Sequence, residues 1–259
     1  MTKVPPIPSE FFTKFDSVKF HDEPHKYYVN GKVLTSVTTI IHKYEEEFDE
    51  EYWSLMKSTD KMSSEKVKDT WDFMNRMATV KGSIIHNTAE YLFQNKIYEY
   101  PKKWVLNEFG FDPIYHEYKK TKKLLENFYN HTKGKLIPIK AEFVVHDDEY
   151  GIGGMVDLLV YNVKAKEFQI WDWKTNKEFT TESDRKLSGI LGILDDCHHE
   201  LYSLQLNAYK YIIERSTGLK IGRSYLVWLY HGNDNYQIFE TKNRMFYIKK
   251  MFEEFKNAV

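Results

Sequence analysis

Two carboxylates and one lysine interrupt apolar segments in the second half of the chain. Asp157 stands within residues 153–161, and Asp172 and Lys174 stand within residues 168–175, where apolar side chains otherwise continue. A buried carboxylate costs several kcal/mol unless it is paired or binds a cation. We therefore expect the two carboxylates to share a hard divalent cation, Mg²⁺ or Mn²⁺, which proteins bind through oxygen ligands. A cation, a polarised water and a nearby ammonium group are suited to phosphodiester hydrolysis.

The spacing in the second segment predicts which side chains face this cation. Asp172 and Lys174 are two residues apart, so both point to one face of a strand, and Trp173 points to the opposite face, into the core. The backbone carbonyl of Trp173 stays near the site and is a candidate metal ligand. Lys174 can position an attacking water and stabilise charge on the phosphate in the transition state. A salt bridge on an exposed strand is the alternative, which the flanking Ile170 and Trp171 disfavour.

Neighbouring elements are predicted to position these residues. Apolar runs at residues 136–145, 153–161 and 168–174 are joined by short polar links, which predicts an antiparallel meander of three strands. A polar, glycine-containing stretch at 176–197 is predicted to be a flexible loop. An amphipathic helix is predicted over residues 198–215.

The rest of the chain predicts further helices and short strands. A partly mobile lead-in at residues 1–17 contains prolines, and Asn30-Gly31 is the signal of a tight hairpin. The other predicted elements are, in chain order, strands at 18–20 and 27–34, a helix capped by Thr35 or Ser36, helices within 48–98 and at 114–129, strands at 224–230 and 236–240, and a helix at 242–257. This order predicts an α+β (α/β) protein with a central mixed β-sheet flanked by helices, in one domain over residues 1–259.

Composition limits the class of protein. The 259-residue chain is 42% hydrophobic and 16% aromatic, which supports a sizeable core, and its formal net charge is −1. This charge does not indicate nucleic-acid binding, although a local basic groove can coexist with an acidic remainder. The single cysteine, Cys197, excludes a disulfide framework or a four-cysteine cluster within one chain. No segment is apolar enough for a signal peptide or a membrane span. We therefore expect a soluble cytoplasmic protein, located in the host cytoplasm if a phage encodes it.

The candidate residues belong to a longer series of motifs. In order, these are Gly82-x-x-x-His86-x-x-x-Glu90, Glu142, Gly154-x-x-Asp157, Asp172-x-Lys174-Thr175 and Gln205-x-x-x-Tyr209. With them the sequence resembles the PD-(D/E)xK nucleases, in particular the branch that contains RecB-like nuclease domains, the mitochondrial genome maintenance exonuclease and many phage exonucleases. The proline that nominally precedes the first aspartate is absent, and Val156 stands there, as is common in this branch. Residues 25–31 and 36–38 also look like those of phage members.

The resemblance implies a division of the chain. A restriction-endonuclease-like nuclease core is expected over residues 81–240. Residues 1–80 would form an N-terminal hairpin and helical elaboration, and residues 241–259 a C-terminal helix. Relatives include both rings and monomers, so the resemblance is compatible with either oligomeric state.

The resemblance also implies roles for acidic and histidine residues outside the two aspartate strands. His86 is expected to be a metal ligand, and Glu90, four residues later on the same helix face, an active-site helper. Glu142 is expected to support the site, either through a metal-bound water or by holding Lys174. Each has a simpler alternative. His86 can be a satisfied core or surface residue, Glu90 can bond a neighbour, and Glu142 can be an exposed charge on its strand.

Gln205 and Tyr209 lie four residues apart on the helix predicted after the loop. The resemblance places them, with Thr175, at the substrate backbone near Lys174. A glutamine can donate to a phosphate or orient a carboxylate, and a tyrosine hydroxyl can contact a phosphate. Core packing with a polar tip is the alternative for Tyr209. It also applies to Tyr202, three residues before Gln205 on the same helix face.

The densest basic run is a further candidate for contact with nucleic acid. It comprises Lys119, Lys120, Lys122 and Lys123, followed by Lys133 and Lys135. Such a run can lead a DNA backbone toward the site through phosphate contacts. A solvated helix face is the simpler interpretation.

Together the motifs predict a Mg²⁺- or Mn²⁺-dependent deoxyribonuclease. The resemblance favours an exonuclease that acts on the ends of single- or double-stranded DNA in recombination, repair or replication. A recombination protein or a single-strand-binding protein is a candidate partner. Two alternatives remain open: an endonuclease or nickase of the same fold, and a catalytically inactive DNA-binding module.

Overall fold

The computed structural model describes residues 4–15, 18–21, 26–29 and 31–258. These residues form eight strands: β1 (Val18–His21), β2 (Lys26–Val29), β3 (Lys32–Ser36), β4 (Leu136–Asp147), β5 (Ile152–Asn162), β6 (Glu167–Lys174), β7 (Ile221–Trp228) and β8 (Gln237–Glu240). They also form eight α-helices: α1 (Ser9–Lys14), α2 (Val37–His42), α3 (Glu50–Lys57), α4 (Ser64–Phe93), α5 (Lys102–Phe109), α6 (Tyr115–Thr132), α7 (His198–Thr217) and α8 (Met245–Ala258).

The strands form one mixed sheet around β5. The order is β1-β2-β3-β5-β6-β7-β8, and β4 pairs with β5 as well. The predicted antiparallel meander is present as β4, β5 and β6, whereas β3 pairs with β5, and β7 with β6, in parallel. The predicted fold class, an α+β protein with a mixed sheet flanked by helices and a helical N-terminal part, is confirmed.

Two strands share one edge of β5. On this edge β6 pairs with residues 158–162 and β3 pairs with Ile152 and Gly153, while β4 lies along the other edge. Among the described residues, none forms a strand pair with residues 154–157 on this edge. We call the gap between β3 and the end of β6 the fork. Because backbone pairing stops there, side chains can occupy the space.

Helices cover both faces of the sheet. Side chains alternate between the faces along each strand. Leu159 and Ile170 pack against α1, α2, α7 and α8, which we call the α7 layer. Leu158 and Trp171, on the same two strands, pack against α4, α5 and α6, which we call the α4 layer. The two layers bring α7 and α4 to opposite sides of the fork.

Short local signals account for several helix ends. Ser36 caps α2, as predicted, by accepting a hydrogen bond at 3.0 Å from the backbone N–H of Thr39. At the C-terminal end of α7, Gly218 adopts φ of +71°, a left-handed conformation that favours glycine and ends the helix. None of the helices in the described ranges is long and apolar enough to cross a membrane.

The structure departs from the sequence prediction in several segments. Part of the predicted mobile lead-in is helix α1, whose Phe11 is fully buried. The predicted flexible loop at 176–197 is packed in its second half, where Leu187, Leu191 and Leu194 are buried and the backbone N–H of Ser188 donates to the carbonyl of Tyr44. These buried leucines hold the loop in place. Their irregular spacing produces no periodic pattern from which the sequence could predict their burial.

The ends of other elements also differ from the prediction. Helix α5 lies between two prolines and was not predicted, and α8 begins three residues later than expected. Helix α4 continues unbroken across residues 80 and 81, so the division expected there is not a break in the structure. The hairpin residue Asn30 and the motif residue His25 lie outside the described residues, but β2 and β3 pair antiparallel as the hairpin requires.

Candidate active site

Asp157 occupies the fork and joins the two strands that separate there. Its Oδ2 atom accepts a hydrogen bond of 2.8 Å from the backbone N–H of Trp173 on β6. The Asp157 carboxylate takes the place of a backbone hydrogen-bond acceptor at the point where β5 and β6 diverge. A strand residue offers its N–H and C=O to the same side, so the carbonyl of Trp173 also points toward Asp157. The predicted carbonyl ligand therefore lies on the side of β6 that faces the fork.

Glu142 lies opposite Asp157 on the neighbouring strand. The pairs Ala141–Leu158 and Phe143–Val156 place these two carboxylates in one register position of β4 and β5. Directly opposed residues have their side chains on one face of the sheet. The two acidic side chains therefore meet.

A bulge in β4 produces this register. The pairing shifts by one residue between Pro138 and Lys140, and a shift of one residue moves every later side chain to the other face. Glu142 itself has φ of +43°, which is strained for a residue with a side chain. Strain of this kind persists where the surrounding structure holds it, and it often marks a functional site.

His86 reaches this pair of carboxylates from α4. Its Nδ1 atom lies 3.3 Å from Oε1 of Glu142 and 3.4 Å from Oδ2 of Asp157. One possible ligand atom from each of the three residues lies within 4.8 Å of the others. The set combines one imidazole nitrogen with carboxylate oxygens. These atoms suit a divalent cation such as Mn²⁺, and Mg²⁺ through the oxygens.

Asp172 and Lys174 form the next part of the site, on the α7 side of the fork. Asp172 is 2% exposed, and its Oδ2 lies 2.7 Å from Nζ of Lys174. This contact is a close ion pair. A buried carboxylate that is paired with a single ammonium group among the described residues, next to the His86 cluster, fits a site for a cation or its bound water.

Side chains of α7 hold the ammonium group of Lys174. Gln205 accepts a hydrogen bond of 3.1 Å from Nζ of Lys174 and donates one of 2.9 Å to the hydroxyl of Tyr209. The ring of Tyr202 lies 4.2 Å from Nζ, a cation–π contact. Tyr202, Gln205 and Tyr209 thus form one face of α7 around Lys174. The four-residue spacing predicted the shared face of Gln205 and Tyr209, and the resemblance implied their position near Lys174.

The glycine of the Gly-x-x-Asp motif makes room for this helix. A Cβ atom on Gly154 would lie 2.3 Å from Cε1 of the buried Tyr209 ring. Any larger residue would displace the ring and its bond to Gln205. By contrast, a Cβ on Gly82 would lie 4.0 Å from Oγ1 of Thr175, an ordinary contact. Thr175, at the end of β6, therefore lies beside the helical turn of α4 that precedes His86.

Glu90 is placed less closely than the other acidic residues. Its charge raises the pKa of Glu142, so the two side chains share one environment. Its Oε1 accepts a hydrogen bond of 2.9 Å from Gln94 on the same helix. The tightest cluster therefore joins Glu142, rather than Glu90 or Asp172, to His86 and Asp157.

The carboxylates of the site lack sufficient positive charge. Burial and the charge of Asp157 raise the pKa of Glu142 to about 7 and that of Asp172 to about 6. Burial opposes ionisation of Asp157 as well, but His86, Lys174 and the N–H of Trp173 together lower its pKa. His86 is held protonated because Asp157 and Glu142 outweigh its burial and raise its pKa. A divalent cation would relieve this repulsion, because it favours the ionised carboxylates.

Three contributors to the site were not identified from the sequence. Tyr27 on β2 is buried, and its pKa rises to about 12 through burial and the charges of Asp157 and Glu142, which places it near both carboxylates. Tyr202 contacts Lys174, although its helix spacing was visible. The bulge in β4 had no local signal. The bulge is an extra residue in β4 relative to β5, so it can be recognised only once the pairing of the two strands is known.

The chain is similar to a protein family and to a solved structure. A solved structure described as the crystal structure of SSO0001 is similar over 61% of this chain and 70% of that chain, with 14% identity and a TM-score of 0.26. None of the curated proteins matches the sequence. Residues 64–235 match the family model described as the PD-(D/E)XK nuclease superfamily. Since this match covers about two-thirds of the chain, the protein belongs to the PD-(D/E)XK nuclease superfamily.

Proposed function

We propose that the protein is a Mg²⁺- or Mn²⁺-dependent deoxyribonuclease that works as an exonuclease in DNA recombination, repair or replication. The superfamily consists of nucleases that use divalent metals. One observation carries the proposal. His86, Glu142 and Asp157 converge in the fork, next to the buried carboxylate of Asp172 and the held ammonium group of Lys174. The exonuclease mode rests on the resemblance to the RecB-like and phage branch.

The chain's own residues divide the work between the two sides of the fork. Asp157 and Glu142, with His86, would hold the metal, and the oxygen of Asp172 and the carbonyl of Trp173 are further candidate ligands. A bound divalent metal lowers the pKa of a water and offsets charge on a phosphate. His86 must lose its proton before it can act as a ligand, so binding would release that proton.

Lys174 is the residue that would act on the reacting groups. Its side chain is 14% exposed, so the ammonium reaches the fork without being freely solvated. Asp172, Gln205 and the ring of Tyr202 fix its position before DNA binds. A fixed ammonium group can orient a water and stabilise charge that develops on the phosphate, at little cost of reorganisation. Tyr209 and Thr175 remain candidates for contact with the DNA backbone.

End-labelled DNA tests the proposal directly. Purified protein should degrade single- or double-stranded oligonucleotides with Mg²⁺ or Mn²⁺ and lose this activity in EDTA. The Lys174→Ala variant should lose at least about 10²-fold in rate. The matched control is Lys220→Ala, which removes a lysine that is 84% exposed at the far end of α7. Full activity in Lys174→Ala would overturn the assigned role.

A second substrate separates the exonuclease from the alternatives. An exonuclease leaves covalently closed circular DNA intact, whereas an endonuclease or nickase converts it to open forms. A DNA-binding module without catalytic function would bind both substrates and cleave neither with any metal. We expect degradation of the linear DNA and none of the circle.

A further inference from the structure

A second polar cluster adjoins the active site where β6 and β7 end. These strands are parallel, so the segments that follow them leave the sheet side by side. The backbone N–H of Leu229 donates to the carbonyl of Lys174 at 2.7 Å. Helix α4 lies against the same edge, because Gly82 approaches Thr175. The segment after β7 therefore lies next to the catalytic lysine strand.

Three elements meet in this cluster. Nζ of Lys81 on α4 donates to Oε2 of Glu117 on α6 at 2.7 Å. Nδ1 of His231, after β7, lies 3.4 Å from the same carboxylate oxygen. Lys81 is only 12% exposed and His231 21%, so both are held within the fold. One carboxylate thus positions two side chains that are or can become cationic.

Positive charge exceeds negative charge around His231. Lys120 lies one turn after Glu117 on the same face of α6, and His116 lies four residues before Lys120. Burial lowers the pKa of His231, the charge of Glu117 opposes this, and the charges of Lys81, Lys120 and His116 lower the pKa further, so these groups lie in its neighbourhood. Glu117 is the only acidic group among the charges that act on His231 in this part of the described structure.

Buried polar atoms at this edge lack partners. Five side-chain atoms in the described residues are buried without a hydrogen-bond partner, and three of them lie here: Oδ1 of Asn176, Nδ1 of His231 and Nδ2 of Asn233. The contact of His231 with Glu117 is thus an ion pair outside hydrogen-bond geometry. An unsatisfied buried polar atom costs about 1–3 kcal/mol. Polar groups of a molecule bound at this edge would form the missing hydrogen bonds.

We propose that Lys81, Lys120 and His231 form a second DNA-backbone site, which binds an internal phosphate of the strand being cleaved. This rests on the proposed function, since it takes DNA as the ligand. Lys81 precedes His86 by five residues on α4, which is about 7.5 Å along a helix. The bound phosphate would therefore lie close to the cleaved bond on the same strand. The cluster fixes the position of the strand while Lys174 acts.

Binding of uncut DNA tests this site separately from cleavage. In the Lys174→Ala background, fluorescence anisotropy with a labelled oligonucleotide gives Kd over a range of salt concentrations. Lys120→Met and Lys81→Met should each weaken binding roughly tenfold and reduce the slope of log Kd against log salt by about 1. The control is Lys220→Met, which removes a lysine that is 84% exposed beyond the far end of α7, and it should change neither quantity.

Glu117 allows a test with the opposite sign. Glu117→Gln keeps an acceptor for Lys81 but removes the only opposing charge, so it should tighten DNA binding about threefold or more. If the Lys81–Glu117 pair merely stabilised the fold, this variant would lower the unfolding temperature without tightening binding. Lys120 is exposed, so Lys120→Met keeps the test valid even if the Lys81 variant unfolds.

Modified DNA locates the phosphate. An uncharged methylphosphonate placed at each of the first linkages in turn should weaken binding most at one linkage, and Lys81→Met should abolish that difference. Oligonucleotides with a 5′-phosphate and a 5′-hydroxyl should bind alike, because the phosphate is internal. Equal salt slopes in all variants, or sensitivity only to the terminal phosphate, would overturn the proposal. If the protein cleaves DNA but these variants bind it as tightly as the wild type, the second site is wrong and the proposed function stands. If the wild type binds DNA through this site but does not cleave it, the proposed function is wrong and the second site stands.

Discussion

Two regions that contain buried carboxylates differ in the number of cations available to neutralise them. Glu200 on α7 is 2% exposed. Nε and Nη2 of Arg244 donate to its two oxygens at 2.8 Å each, and Lys242 donates as well. Burial would raise the pKa of Glu200, but the two cations outweigh it and lower the pKa. This network attaches the segment before α8 to α7.

The fork presents the opposite balance. Within the described ranges, Glu142, Asp157 and Asp172 share the two cations His86 and Lys174, and the pKa values of two of the three carboxyls are raised, to about 7 and about 6. Neither cation is a guanidinium that could satisfy both oxygens of one carboxylate, as Arg244 does for Glu200.

This difference distinguishes buried carboxylates that stabilise the fold from buried carboxylates that are positioned to bind a ligand. Both regions are buried and both are rich in acidic side chains, so burial alone does not distinguish them. A complete set of cations lowers the pKa of a buried carboxylate and stabilises the fold. A shortfall of cations raises the pKa of the carboxylates, and such a site stays ready to bind a ligand.

Removing one cation from each region should give the largest contrast. Arg244→Met leaves the buried, charged Glu200 with Lys242 as its remaining cation, so the free energy of unfolding should fall by up to about 3–5 kcal/mol. Lys174→Met should cost clearly less, because Asp172, whose pKa is already about 6, takes up a proton. Urea denaturation at neutral pH in EDTA measures both. The rate of DNA cleavage per folded molecule should be kept in Arg244→Met and lost in Lys174→Met. Equal destabilisation would contradict the comparison.

The sequence revealed the chemistry of the fork better than its geometry. Asp157, Asp172 and Lys174 stand out locally, since a charge interrupts an apolar run. The strands that carry them follow from short-range patterns. The sheet order confirmed the predicted fold, and the family match confirmed the superfamily. The individual roles of these residues stay predictions that the experiments above test.

Contacts between distant segments could not be read from the sequence in the same way. The bulge that turns Glu142 toward Asp157 depends on pairing between two strands. The approach of His86 depends on how α4 packs across the sheet. In the other region, Glu200 and Arg244 are 44 residues apart, and neither departs from its local pattern. Local periodicity specifies which face a residue occupies, but not the partner that face will meet.

Neutralising one acid in each region should change stability in opposite directions. In EDTA at about pH 8, Glu142→Gln removes a carboxylate that is ionised against repulsion, so the metal-free protein should gain about 1–3 kcal/mol. Glu200→Gln removes the charge that Arg244 and Lys242 bind, so it should lose a similar amount. Urea denaturation measures both variants. Added Mn²⁺ should stabilise the wild type more than Glu142→Gln, because a ligand that binds only the folded state raises its stability.

The smallest expected effect is a pH dependence confined to the fork. In the metal-free protein the raised pKa of Glu142 contributes stability at low pH, which is lost as pH rises from about 4.5 to about 7. Glu200, whose pKa is lowered, has the opposite sign and contributes stability that is lost as pH falls. A metal binds the deprotonated carboxylates and a neutral imidazole, so Mn²⁺ affinity should rise as pH increases through about 6 to about 7 and go on rising until His86, whose pKa is raised, has lost its proton as well. Calorimetry in buffers with different ionisation enthalpies counts the protons released. Glu142→Gln should flatten the part of this rise near pH 7, whereas Glu200→Gln, although it is less stable, should keep the whole of it. An affinity that does not change with pH, or a rise that Glu200→Gln removes, would mean that the two regions do not differ in the way their charges indicate.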